Sequence, residues 1–131
     1  MATVLPRGPF RDETFVAAES LETSQYHFGY LASATTVEVG AANELTPGII
    51  QNLPASGEQV VLRTAGQSYL MCDGDSVDIA VGDPLDCDAS GHGVKQATDK
   101  GRYYAIAREA LTSATVTAIV VDIQSGYLDN A

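Results

Sequence analysis

Tryptophan is absent from this 131-residue sequence, and cysteine and histidine occur twice each. Without tryptophan the strongest side chain for stacking on sugar rings is missing. Two cysteines, Cys72 and Cys87, make no disulfide framework, and no cysteine pair has the short spacing of a zinc site. They read as small side chains in or beside strands, with a single bridge left open by sequence. Basic residues are scarce: 7 Lys and Arg stand against 17 Asp and Glu, a net charge of −10. Phosphate-binding surfaces rely on clustered Lys and Arg, so nucleic acid and anionic membrane are not expected partners. No run approaches the roughly 18 apolar residues of a transmembrane helix. The opening MATVLPRGPFRDE has no signal-peptide core, which predicts a chain made and used in the cytosol, or assembled there into something larger.

What is present points to one folded domain. Hydrophobic residues make up 45% of the chain, too many for general disorder. A compact chain of this length buries roughly two-thirds of its unfolded surface and needs no metal or disulfide to fold. Residues 1–25 differ from the rest. Pro6, Gly8 and Pro9 break regular structure early. A short helix over 12–22, capped by Asp12 with Phe15, Ala18 and Leu21 on one face, competes there with an extended arm. The arm is the preferred reading, and a chain starting near Ser24 is expected to fold without it.

From Tyr26 onward the pattern is that of strands, giving an expected β domain over 26–131. Aromatic 26–31, a β-branched run around Val37, alternating 58–63 and 76–80, then 103–109 and 115–123 are the strand candidates. The last is apolar on both faces, as in a strand covered on both sides. Turn residues separate these runs at Pro47-Gly48, Pro54 to Gly57, Ala65-Gly66, Asp73-Gly74, Gly82 to Pro84 and Ser90-Gly91. The reading is all-β: a small barrel or sandwich of short antiparallel strands with an N-terminal arm. Segments 48–63 and 104–120 share a scheme: an Ile-containing strand, a polar pair (Gln51-Asn52, Arg108-Glu109), a small-residue turn and a Val-rich strand. Each follows a segment with a Leu (Leu31, Leu85) and a Val (Val37, Val94), which suggests two related units.

Chemistry-bearing residues are few. DCDASG (86–91) matches the start of a calcium loop, with Asp86, Asp88 and Ser90 as oxygen donors, but Ala97 stands where the bidentate Glu belongs. A hairpin turn without metal is expected instead. His27 sits in an aromatic strand, and His92 lies between Gly91 and Gly93 in a turn poorly suited to a fixed general base. A Cys87–His92 dyad is disfavoured by the tight turn between them. There is no nucleophile elbow and no phosphate loop. The protein is not expected to be an enzyme or to carry a cofactor.

The stretch from about Tyr26 to Ile123 resembles the small capsid decoration, or cement, proteins of tailed bacteriophages. GIIQNLPASGEQV (48–60) is similar to their Gly-Ile/Val-x-Gln-Asn-x-Pro-x-x-Gly-Glu segment. The glycine of TAGQS (64–68), the turn in VGDPLDCDASG (81–91) and the hairpin YAIAREALTSATVTAIVV (104–121) follow in the same order. The resemblance implies a β-barrel-like domain, commonly trimeric, on the outer surface of the virion. There it would clamp neighbouring subunits of the major capsid protein, with no cofactor and no reaction. Val4, Leu5, Phe10, Phe15 and Val16, in the expected arm, are the candidate contacts to the capsid or to a neighbouring copy. The rival expectation is a carbohydrate- or host-receptor-binding β-module, with Tyr69, Tyr103 or Tyr127 stacking on sugars. A small metal-dependent enzyme built on the acidic stretch 73–88 is a further alternative.

Overall fold

A computed structural model describes residues 5–42, 44–74, 77–96, 100–112 and 116–129. Nine strands run through them: β1 (Arg11–Ala17), β2 (Phe28–Leu31), β3 (Thr36–Val39), β4 (Gly48–Ile50), β5 (Gln59–Asp73), β6 (Pro84–Cys87), β7 (Gly93–Lys95), β8 (Lys100–Ala107) and β9 (Val116–Asp129). There is no helix among the described residues, so the fold is all-β as the turn-separated, β-branched runs require. Two strands are long: β5 has 15 residues and β9 has 14.

The strand order is β1-β3-β2-β4-β5-β7-β6-β8-β9, with further pairings β1–β5 and β5–β9. These two pairings close the sheet on itself twice. The first ring runs β1-β3-β2-β4-β5 and returns to β1; the second runs β5-β7-β6-β8-β9 and returns to β5. Strand β5 belongs to both. Its first half pairs with β1 from Val16↔Gln59 to Arg11↔Ala65, and its second half pairs with β9 from Gly66↔Ile123 to Asp73↔Val116. The hand-over falls between Ala65 and Gly66. Gly66 has φ +92°, and a Cβ there would come within 2.5 Å of the Pro9 carbonyl oxygen, so both backbone conformation and space demand glycine.

The rings have matching connectivity. Each contains one parallel pair, β1–β3 in the first and β5–β7 in the second, among antiparallel neighbours. Individual hydrogen bonds repeat as well. Tyr26 N–H donates to Ile50 O at 2.7 Å, as Gly82 N–H does to Ala107 O at 2.7 Å. Gln51 N–H donates to Val61 O and Arg108 N–H to Val120 O, both at 2.9 Å. The second residue of each polar pair then caps the facing strand: Asn52 Oδ1 accepts from Val61 N–H at 2.9 Å, and Glu109 Oε1 from Val120 N–H at 2.8 Å. The repeat read from sequence is therefore real in its strands, but its earlier members are shifted. Leu85 corresponds to Gly29, and Val37 to Gly93, because these pairs hold equivalent places in the ladders.

The interior follows the rings. Ala17, Leu21, Val37, Ile50, Val60 and Leu62 fill the first, with Phe15 and Val39 packed against them. Leu70, Cys72, Leu85, Tyr104, Ala105, Ile119 and Val121 belong to the second core, which Phe28 and Ile49 enter from the first ring. Neighbours Ile49 and Ile50 on β4 thus face different cores, as the two-residue period of a strand dictates, and β4 forms part of the wall between them. Ile119, Val120 and Val121 are all buried, so the centre of β9 is covered on both faces as its sequence predicts, while Val116 is exposed.

The N-terminal segment departs from expectation. Residues 11–17 are neither a helix nor an arm but strand β1, hydrogen-bonded to β5 and β3. Ala17 and Leu21 lie in the first core, and Leu21 N–H donates to Pro54 O at 2.9 Å. The expected boundary between an arm over 1–25 and a domain over 26–131 therefore cuts through the first ring. The cause is that β5 needs a partner along its first half, and β1 supplies it. Deleting residues 1–23 should abolish cooperative folding of the first ring, and Leu21→Ala should cost about 2–5 kcal/mol in urea unfolding, as for other buried leucines. Unchanged unfolding of either variant would show that the segment is dispensable.

Candidate functional site

Three surfaces carry the residues of interest. The first is the seam where the N-terminal segment crosses β5. Val4 lies outside the described residues. Leu5 is well exposed, as are Phe10 and Val16, while Phe15 is half-buried against the first core. Phe10 does not project as a free anchor. The Arg63 guanidinium lies 3.7 Å from its ring centroid, and Arg63 Nε donates to Asp12 Oδ1 at 2.8 Å. Arg63 Nη1 also donates to Gln67 O at 3.1 Å, so one cation ties Phe10, Asp12 and both sides of the Gly66 hand-over together. Phe15 and Val16 line a groove of about 510 Å³ with Thr14, Ala34, Thr35, Gly57 and Gln59. Of the five sequence candidates, the structure brings Phe15 and Val16 to one groove and sets Leu5 and Phe10 apart from it.

The second surface is a tyrosine groove of about 420 Å³ between the 45–47 loop of the first ring and the ends of β8 and β9. Tyr103, Tyr104 and Tyr127 line it with Arg102, Leu45 and Pro47. Tyr103 pairs across the ladder with Gly126, and a Cβ at Gly126 would overlap the Tyr103 ring. The glycine is the seat of the tyrosine. Two of the three tyrosines singled out from sequence, Tyr103 and Tyr127, meet here; Tyr69 instead packs on Tyr26, with centroids 5.4 Å apart.

The third lies where the β6–β7 turn meets the first ring. Gly91 O accepts from Phe28 N–H at 2.8 Å, and the rings of His27 and His92, remote in sequence, meet at a tilt of 44° with centroids 4.8 Å apart. Burial holds His27 below its ordinary pKa, and the facing His92 adds to the shift. Asp88 Oδ1 accepts from Ser90 N–H and His92 N–H at 2.8 and 2.9 Å. Asp86 turns elsewhere, accepting from Cys87 N–H at 2.8 Å, so the donors of a calcium loop do not converge. No spacing rule could have paired His27 with His92, because they meet through the packing of one ring on the other.

The cysteines are free and buried. Each lies opposite Gly93, Cys72 from β5 and Cys87 from β6, with β7 running between them. Burial raises the Cys72 thiol far above its ordinary range and pushes Cys87 up to about 12. Such thiols are poor nucleophiles, which leaves the Cys87–His92 dyad without an activated sulfur. At pH 8 the folded protein should resist iodoacetamide and take up two labels per chain once denatured; rapid labelling of the native state would contradict the burial.

These surfaces sit on a fold shared with a protein of a bacteriophage head. The chain is similar to the crystal structure of the N base of the head fiber gp8.5 of bacteriophage phi29, with a TM-score of 0.67, 14% sequence identity and coverage of 88% of this chain and 94% of that one. No family model matches the chain, and no curated protein sequence does.

Proposed function

We propose that this protein is a structural component of a bacteriophage virion that binds the outer surface of the capsid. The observation that carries the reading is the fold likeness, which extends over nearly the whole of a head-fiber base. The resemblance of residues 26–123 to capsid decoration proteins, noted from their turn segments, points the same way. In this reading the protein clamps neighbouring major-capsid subunits, self-associates as a trimer, and catalyses nothing. It binds neither nucleic acid nor membrane, and is made in the host cytoplasm. A net charge of −10 suits a protein that attaches to a shell and leaves packaged DNA alone. The contact role falls on Val16 and Phe15 in the first-ring groove and on Leu5 and Phe10 beside it, with Val4 in the same segment.

Co-sedimentation with undecorated particles tests this. The full chain should pellet with capsids, and Val16→Asp, which puts a charge on an exposed strand residue, should weaken binding at least tenfold with its circular dichroism unchanged. Light scattering should report a trimer, free or on particles. A folded protein that fails to bind capsids of its own phage would overturn the proposal.

A second reading, a carbohydrate- or host-receptor-binding module, is favoured by the groove holding Tyr103 and Tyr127. A glycan array separates the two, since specific glycan retention lost in Tyr103→Ala would support the second.

A further inference from the structure

We propose a binding site for a divalent transition metal at the junction of the two rings, with Asp73, Asp88 and His92 as ligands. One donor atom from each lies within 4.8 Å of the other two. The donors come from separate segments: Asp73 ends β5, and Asp88 and His92 bound the β6–β7 turn. This chain has two histidines, and both converge here.

The geometry argues for an ion rather than for a simple ion pair. Asp88 Oδ1 is committed to two backbone N–H groups, which fixes the carboxylate and turns Oδ2 toward His92. Oδ2 and His92 Nδ1 then stand 3.5 Å apart, too far for a good hydrogen bond. Ligands about 2.1 Å from a tetrahedral metal are separated by about 3.4 Å, the spacing this pair already has. The third oxygen, from Asp73 at the end of β5, lies within 4.8 Å of both. The His27 ring packs tilted against His92 from the first ring, and His27 Nδ1 is 3.2 Å from the Gln25 carbonyl oxygen, so His27 is a positioning residue that buttresses the imidazole. The side chains of His92 and Asp88 are 19% and 26% exposed, which leaves an open side for water to complete the coordination.

Two carboxylates and one imidazole suit zinc, cobalt or manganese rather than a thiolate-preferring ion. The acidic balance of the chain raises the local dication concentration. An ion here would tie the end of β5 to the turn on which the first ring rests through the Phe28–Gly91 hydrogen bond. Along the chain Asp86 and Asp88 are neighbours in one loop that lacks its last ligand at Ala97, which argues against a metal. The fold instead pairs Asp88 with Asp73 and His92.

The test uses the full chain stripped with a chelator, with capsid binding playing no part in the readout. Zinc titration should raise Tm, since an ion bound by the folded state alone stabilises it. Cobalt should give visible absorption bands that excess zinc abolishes. His92→Gln, Asp88→Asn and Asp73→Asn should each weaken zinc binding at least tenfold, while Asp86→Asn, whose carboxylate faces elsewhere, should match the wild type. If His92→Gln does not fold by circular dichroism, Asp73→Asn decides. No zinc-dependent shift in the wild type, binding that survives in Asp73→Asn, or equal weakening by Asp86→Asn would overturn the proposal.

Discussion

Everything in this structure depends on one strand serving two sheets. β5 supplies the closing edge of the first ring and the opening edge of the second, so neither ring can be completed without it. Closure pairs part of each sheet's edge, through Val16 and Ala17 with β3 in the first ring and Cys72 with Gly93 in the second, which reduces the liability that open sheets carry. The cost falls at Gly66, where the backbone takes a left-handed conformation and the N-terminal segment crosses so closely that no side chain fits. Arg63 secures that crossing by holding Phe10, Asp12 and the Gln67 carbonyl at once.

The two halves solve one folding problem with different residues. Where the second ring uses Gly82 in the left-handed region, the first uses Tyr26 at φ 64°, a conformation that costs a non-glycine residue roughly 1–2 kcal/mol. Tyr26 offsets that cost by packing against the second core and against Tyr69. The seam between the rings is built from such substitutions: Phe28 and Ile49 enter the neighbouring core, and His27 meets His92. The two rings are thus tied by side chains as well as by β5.

Much of this was legible in the residues. Alternation in 58–63 located the first half of β5, which runs on through the expected break at Ala65-Gly66, the apolar centre of 115–123 located β9, and the polar pairs Gln51-Asn52 and Arg108-Glu109 marked positions that turned out to cap equivalent strands. The repeat slipped by one or two residues in the shorter strands because Gly29 and Gly93 stand where a larger side chain was sought as a marker. The N-terminal strand was missed for a different reason. Its breakers, Pro6, Gly8 and Pro9, precede β1 and suggest a tail, whereas its pairing partner lies some fifty residues away on β5. Similarly, the tyrosine groove needs the 45–47 loop and the end of β9 side by side, and the Asp73, Asp88 and His92 cluster needs the end of β5 beside the β6–β7 turn. Local pattern carries information about which residues form strands; it carries little about which distant strands touch.

The shared strand also sets how the molecule bears mechanical load. Pulling on a surface residue of one ring does not act on a flexible linker, because the path to the other ring is continuous β backbone. The antiparallel ladders flanking β5, to β1 on one side of Gly66 and to β9 on the other, lie along that path, so a force directed down the strand shears their hydrogen bonds together rather than peeling them singly. A two-ring body joined by such a strand would answer that load as one stiff piece.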